Sequence, residues 1–438
     1  MAILNKDEAK ALLTKVLAFS KADECEINLS GSEGGNIRYA RNAVSTAGDA
    51  SRLSLIVTSS FGKKTGVATI NEFDDASLEK VVRRAEEVAN LAPENPEYMP
   101  LLGPQTYLDS IAYNKATAAI SPEIRAEAVA KSLKVSKDEK LEAAGFLENS
   151  SGFRAMMNSI GLFGYNMDSD VSFSVTMRNQ AGTGSGYVSK SYNDVSKLDT
   201  LALTKIAAAK ANGSANAKAI EPGKYTVILE PLAASDLITT MFGGFDARSA
   251  DEGRNYMSKK GGTTRLGEKL FDEKVTMYSD PLNADLPSAT YSGDGQPLKR
   301  TVWVDKGVVK NLAYSRYWAK QKGVDPLPGA NSMIMEGGTS SLENMIKGTD
   351  RGILVTRFWY IRFVDPQTLL LTGLTRDGTF YIENGKIQFP IKNFRFNESP
   401  VIMLNNVEEL GKPERTDNMI VPPMKIRDFT FTSLSDAV

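Results

Sequence analysis

Tyr225-Thr226-Val227-Ile228-Leu229, closed by Glu230, runs straight into Pro231-Leu232-Ala233-Ala234-Ser235-Asp236-Leu237-Ile238-Thr239-Thr240-Met241-Phe242. The first run is apolar and β-branched, as a buried strand requires. The second opens on a proline, which suits the first helical position because the missing N–H has no intrahelical partner there. A strand over 225–229 and a helix near 231–242 are therefore expected. Gly243-Gly244 follows, a C-cap signal that ends the helix. Beyond about residue 270 the pattern becomes β alternation: Thr301 to Val304, Gly352 to Ile361, Leu369 to Thr372, Phe380 to Ile382, Ile387 to Phe389 and Pro423 to Phe431. Asp305-Lys306-Gly307 and Glu383-Asn384-Gly385 separate these runs, the latter a strong hairpin cue. Residues 221–438 thus read as one C-terminal domain, a large, curved, mostly antiparallel β system carrying a single well-marked helix near its start.

Upstream, two further regions appear, and the whole is α+β. Residues 1–95 form an N-terminal unit. Asn5 with Glu8 makes a capping box ahead of Ala9, Leu12, Leu13, Val16 and Leu17, which recur at helical spacing. Strands are expected at Cys25–Leu29, Asn36–Ala40, Leu53–Val57 and Thr65–Ile70, with Gly34-Gly35 and Gly62-Lys63-Lys64 read as turns. Asp74-Asp75 starts a helix striped by Leu78, Val81, Val82, Ala85, Val88 and Ala89. Pro93, Pro96 and Pro100 mark a connection into a middle α/β region, 96–220. There Ser121-Pro122-Glu123 opens a helix, strands follow at Leu141–Glu148, Arg154–Ser159 and Val171–Arg178, and Leu201–Ala211 is helical again. Residues 211–216 read as a polar turn.

The 438 residues include no histidine and one cysteine, Cys25. Ser-His-Asp triads, Cys-His dyads and histidine-ligated metal sites are thereby excluded. Cys25 allows no internal disulfide and fits a reducing compartment. Carboxylates flank it, which raises rather than lowers a thiol pKa, so it reads as a structural core residue. With 52 Lys+Arg against 53 Asp+Glu the chain has no basic excess, and no direct nucleic-acid binding is expected. No apolar run approaches the ~20 residues of a membrane span, and the charged N-terminus has no signal-peptide pattern, so no membrane partner is expected and a cytoplasmic location is.

Several segments in succession resemble the TldD/PmbA family, known as modulators of DNA gyrase and as metallopeptidases. They are Ile37–Asn42, Met157–Gly161, the dense run Asp294–Val308 with Tyr314–Gly323, and Leu371–Gly373 through Ile382–Ile387. Order and spacing agree over nearly the whole chain. In the TldD branch the resemblance implies an HExxxH zinc motif on the helix after residue 230. In that register Thr239 and Gly244 stand at the histidine places and Thr240 at the glutamate place. Zinc requires thiolate, imidazole or carboxylate donors, so no metal site and no catalytic residue is expected in this chain. Positions five apart diverge round a regular helix, so the frame also requires the helix to end or distort here. This is the pattern of the PmbA (TldE) branch. Its members pair with a TldD-type subunit, and zinc is expected in that partner.

The resemblance therefore implies a noncatalytic subunit of a peptidase complex that processes or degrades unfolded peptides, walling one side of a peptide channel by β-augmentation. The loop Thr372-Gly373-Leu374-Thr375-Arg376-Asp377-Gly378 matches a family loop near the active cleft, making Thr372, Gly373, Arg376 and Gly378 candidate peptide-binding residues; the alternative is a plain hairpin turn. A homodimer of the isolated chain is compatible with this reading. Two other functions stay open: a stand-alone regulator acting on DNA gyrase, and a histidine-free hydrolase. For the last, Asp246, Asp251 and Glu252 offer carboxylates for a divalent cation and Ser258-Lys259-Lys260 a nominal Ser-Lys pair, although a solvated helix end and a basic turn explain both. Ser292-Gly293-Asp294-Gly295 is too acidic for a phosphate loop. Trp303, Trp318 and Trp359 read as core.

Overall fold

The computed structural model describes residues 2–435. Near the N-terminus α1 (Lys6–Leu17) starts on the expected capping box: Asn5 accepts from the N–H groups of Asp7 and Glu8, and Glu8 accepts from Asn5 N–H at 2.8 Å. Three strands follow, β1 (Glu24–Ala40), β2 (Ala43–Phe61) and β3 (Lys64–Ile70), then α2 (Asp75–Leu91), capped by Asp74. After the proline-marked connection come α3 (Lys115–Ala118), α4 (Pro122–Asp138), β4 (Leu141–Asn158), β5 (Phe163–Asn179), β6 (Ser185–Tyr192) and α5 (Thr200–Gly213). The six strands form one antiparallel sheet in the order β3-β2-β1-β4-β5-β6. The boundary drawn at residue 95 thus runs between two halves of a continuous sheet, since β1 pairs with β4 along most of its length.

Ile27, Leu29 and Ile37 share one face of β1, as residues of equal parity must. Helices α1 and α2 cover one end of that face, packing Leu13, Val16, Leu78 and Val82 on Ile27 and Leu29. Helices α4 and α5 cover the other, with Val129, Ala207 and Ala211 against Ile37 and Phe173. Cys25 is wholly buried, as its structural reading requires; burial pushes its thiol up, and Glu86 and Glu26 push the same way.

Gly34-Gly35, expected as a turn, instead lies in mid-strand. A Cβ on Gly34 would stand 2.3 Å from the carbonyl oxygen of Asn149 in β4, so glycine here lets two backbones approach closely rather than reverse. For the same reason the runs expected as two strands, 25–29 with 36–40 and 141–148 with 154–159, are each one long strand.

In the C-terminal half, β7 (Gly223–Leu229) is central to a nine-stranded sheet. Met424–Leu434 pairs with it antiparallel on one side and Arg351–Val355 parallel on the other. Outward on the first side lie Phe394–Glu398, Leu370–Thr375 and the edge strand Phe358–Asp365; outward on the second lie the hairpin strands Thr379–Glu383 and Lys386–Pro390. The expected strand 352–361 is broken at Thr356-Arg357, because its two parts join opposite sides of the sheet. A second, six-stranded sheet contains Met277–Ser279, Thr301–Asp305 and Met333–Met335. Phe358, Phe394, Phe396, Phe429 and Phe431 form an aromatic core on the large sheet, with ring centroids 4.7 Å apart for Phe358 and Phe396 and 4.8 Å for Phe394 and Phe431. Among the described residues no helix is long and apolar enough to cross a membrane.

Candidate functional site

Glu230 leads from β7 into α6 (Pro231–Ile238), which tightens at Thr239 into a 3-10 turn, Thr239–Phe245. The expected helix over 231–242 therefore changes pitch at the first of the three positions singled out above. Thr239 is exposed, and the Thr240 hydroxyl is spent on Leu237 O at 2.6 Å. Gly244 is buried against Tyr256: a Cβ there would lie 2.0 Å from Tyr256 Cε1, and the Tyr256 hydroxyl donates to Met241 O at 2.9 Å. The space a longer side chain would need at 244 is filled by a phenol ring. These residues do not fit a zinc ion. Among the described residues no group of three or more His, Cys, Asp or Glu side chains converges.

Asp236 lies on α6, one turn before Thr239. Its Oδ2 accepts from Phe358 N–H at 3.0 Å. Dense protein surrounds it while part of its surface stays open, and burial pushes its carboxyl up to about 7; the Phe358 N–H and Arg357 pull it down, and Asp417 pushes it up. Arg357 pairs with the buried Asp377 at 2.8 Å and lies 3.7 Å above the ring of Tyr187 in β6. Ser185 of β6 donates to the other oxygen of Asp377 at 2.5 Å. Side chains from β6, α6 and the 357 and 377 bends thus meet at one seam.

Of the candidate peptide-binding residues, Arg376 and Gly378 reach this seam. Arg376 lies 4.0 Å over the exposed ring of Trp359, and Gly378, at φ +124°, borders a pocket of about 230 Å3 with Ser185, Ser214 and Asn393. Thr372 and Gly373 instead lie inside the strand Leu370–Thr375. The Thr372 hydroxyl bonds Phe396 O at 3.0 Å, and a Cβ on Gly373 would stand 2.7 Å from the Phe396 ring. Asp236, Arg357 and Tyr187 were not foreseen. A lone carboxylate between Ala234 and Leu237 in an apolar stripe was the available signal for Asp236.

The remaining candidates disperse. Asp246 caps a short helix, Asp251 accepts from Trp318 Nε1 at 2.8 Å and pairs with Lys322, and Glu252 pairs with Arg248 and Arg254. Ser258 and Lys259 belong to a minimal hairpin, with Lys259 paired to Glu268. Trp303 is buried, Trp318 half-buried, and Trp359 is 40% exposed on the edge strand, which corrects its reading as core.

A two-sheet C-terminal half carrying this helix, joined to a helix-covered six-stranded sheet, defines the class. Residues 25–89 match the family described as PmbA/TldA metallopeptidase domain 1, and residues 222–433 match the PmbA/TldA metallopeptidase C-terminal domain. Together they take in more than half of the chain, which belongs to the PmbA/TldD family. An uncharacterized protein of Methanocaldococcus jannaschii is 25% identical over 366 residues, covering 80% of this chain and 83% of that protein. Metalloprotease PmbA of Escherichia coli O157:H7 is 23% identical over 220 residues, 47% of this chain and 48% of its own length. In fold, the chain superposes on TldE from Thermococcus kodakarensis with a TM-score of 0.88 at 21% identity, covering 96% of this chain and all of that one. A Thermotoga maritima protein named for modulation of a DNA gyrase gives 0.86 at 17% identity, covering 97% and 100%.

Proposed function

We propose that this chain is a noncatalytic, PmbA/TldE-like subunit of a zinc-dependent peptidase complex that acts on unfolded peptides. One observation carries the reading: the turn that would bear zinc donors holds Thr239, Thr240 and Gly244, with the Tyr256 ring packed where a side chain at 244 would go. Neutral hydroxyls are poor zinc donors and glycine offers none. The metal and the hydrolytic chemistry then belong to a TldD-type partner subunit. This chain contributes one wall of the cleft, where the seam around Asp236, Arg357 and Arg376 and the neighbouring strand edge hold extended peptide through its backbone.

The test compares the isolated chain with the chain mixed with a TldD-type partner, on an unstructured peptide. Cleavage is expected only in the mixture and is expected to stop on adding a chelator. Chelator-sensitive cleavage by the isolated chain would refute the proposal. A role as a stand-alone modulator of DNA gyrase is favoured by the naming of the Thermotoga maritima structure. Affinity capture distinguishes the two: recovery of gyrase without a TldD-type protein supports the modulator.

A further inference from the structure

The 3-10 turn that carries the altered positions also forms one wall of a second cavity, of about 400 Å3. Its floor is apolar. Phe245 and Trp303 are buried there with their rings edge to face, centroids 5.9 Å apart, and Met333 and Leu327 complete the surface. The Trp303 indole N–H is already donated to Ser279 Oγ at 3.1 Å, so its ring presents only hydrocarbon to the cavity. Ala330, after Pro328-Gly329, also lines the cavity.

The rim is acidic. Asp246 accepts from Ser249 N–H at 2.7 Å; Asp294 accepts from Ser292 Oγ at 2.5 Å and from Gln296 Nε2 at 2.9 Å. These donors are neutral, so they hold each carboxylate in place without cancelling its charge. Among the described residues neither carboxylate has an ion-pair partner. Glu26, at the start of β1, lies close enough to feel Asp294: burial pushes its carboxyl up and the charge of Asp294 pushes the same way, against the Asn28 hydrogen bond and Arg316. A volume of this size is at the small end of ligand sites and suits one large side chain with its adjoining backbone.

We propose that this cavity is a side-chain subsite: it takes a large apolar residue of an extended peptide whose immediate neighbour is Lys or Arg. The inference rests on the peptide-binding reading above and adds a sequence preference to backbone recognition that has none. Burial against Phe245, Trp303 and Met333 supplies the affinity, and the carboxylate rim selects cationic flanks and rejects acidic ones.

The experiment measures fluorescence anisotropy of the full chain with three labelled unstructured peptides, centred on Lys-Phe-Lys, Lys-Ala-Lys and Glu-Phe-Glu. At low salt the first is expected to bind about tenfold more tightly than either other. Ala330→Trp, which fills the cavity, is expected to erase the advantage of Phe over Ala. Asp294→Asn is expected to reduce the advantage of Lys over Glu while keeping that of Phe over Ala. Should Ala330→Trp fail to fold in a thermal melt, the Asp294→Asn result decides alone. Equal binding of all three peptides overturns the subsite and leaves the peptide-binding reading standing. Binding of none, by the chain alone or with its partner subunit, overturns both.

Discussion

At Gly244 a methyl group has nowhere to go, because the Tyr256 ring that would meet it is itself fully enclosed and hydrogen-bonded to Met241 O. Gly244→Ala is therefore expected to lose about 1–3 kcal/mol of stability, read as a lower urea midpoint at unchanged slope. Asp236 makes a different prediction. Its folded pKa of about 7 is above the unfolded value of 3.8, so between these pH values the native state keeps a proton the unfolded chain has released. Stability contributed by Asp236 is then fully present at low pH, falls as pH rises through that window, and levels off above about 7. Asp236→Asn, which keeps an acceptor for Phe358 N–H, is expected to be more stable than the parent by up to about 4 kcal/mol at pH 8 and nearly equal near pH 4. An offset that is the same at both pH values would mean that Asp236 titrates normally.

For the elements, a glycine inside β1 sets how closely the backbone of β4 can approach. Gly34→Ala is expected to cost about 2 kcal/mol or more, since its neighbours at 2.3 and 2.9 Å are Asn149 O and Ser150 Cα, backbone that cannot swing aside. Gly48→Ala, with nothing within 4 Å, is the control, expected to change stability by less than about 0.5 kcal/mol in the same thermal melt. These positions also explain what sequence made legible. The caps at Asn5, Asp74 and Ser121 act through neighbours three residues away, so helix starts could be read directly. A glycine that admits a partner strand more than a hundred residues distant looks, locally, like one that turns the chain. Ala43–Arg52 of β2 is exposed throughout, so no alternation advertised it as strand. The change of pitch at Thr239 followed from the spacing of the altered positions, whereas the phenol ring behind Gly244 did not, because Tyr256 is a tertiary neighbour.

Across the whole molecule, Arg357 ties the halves together, holding buried Asp377 on one side and lying over Tyr187 of β6 on the other. Arg357→Ala strands a carboxylate that is 1% exposed, and Arg376, 3.9 Å away, compensates only part of its charge. A loss of about 3 kcal/mol is expected in chemical denaturation, partly restored by adding Asp377→Asn. No sequence pattern pointed to this contact, because its members come from residues 185, 187, 357 and 377 and meet only once the large sheet docks on the small one.

Met424–Leu434 lies between β7 and Phe394–Glu398 at the heart of the nine-stranded sheet. A ribosome delivers β7 some two hundred residues before the strand that completes its pairing. Throughout that interval Val227 and Leu229 lack part of their cover, and the nascent half-sheet depends on being shielded from other chains. Release of a product stopped short of Met424 is accordingly expected to yield inclusion bodies instead of a smaller folded protein, visible as loss from the soluble fraction on expression.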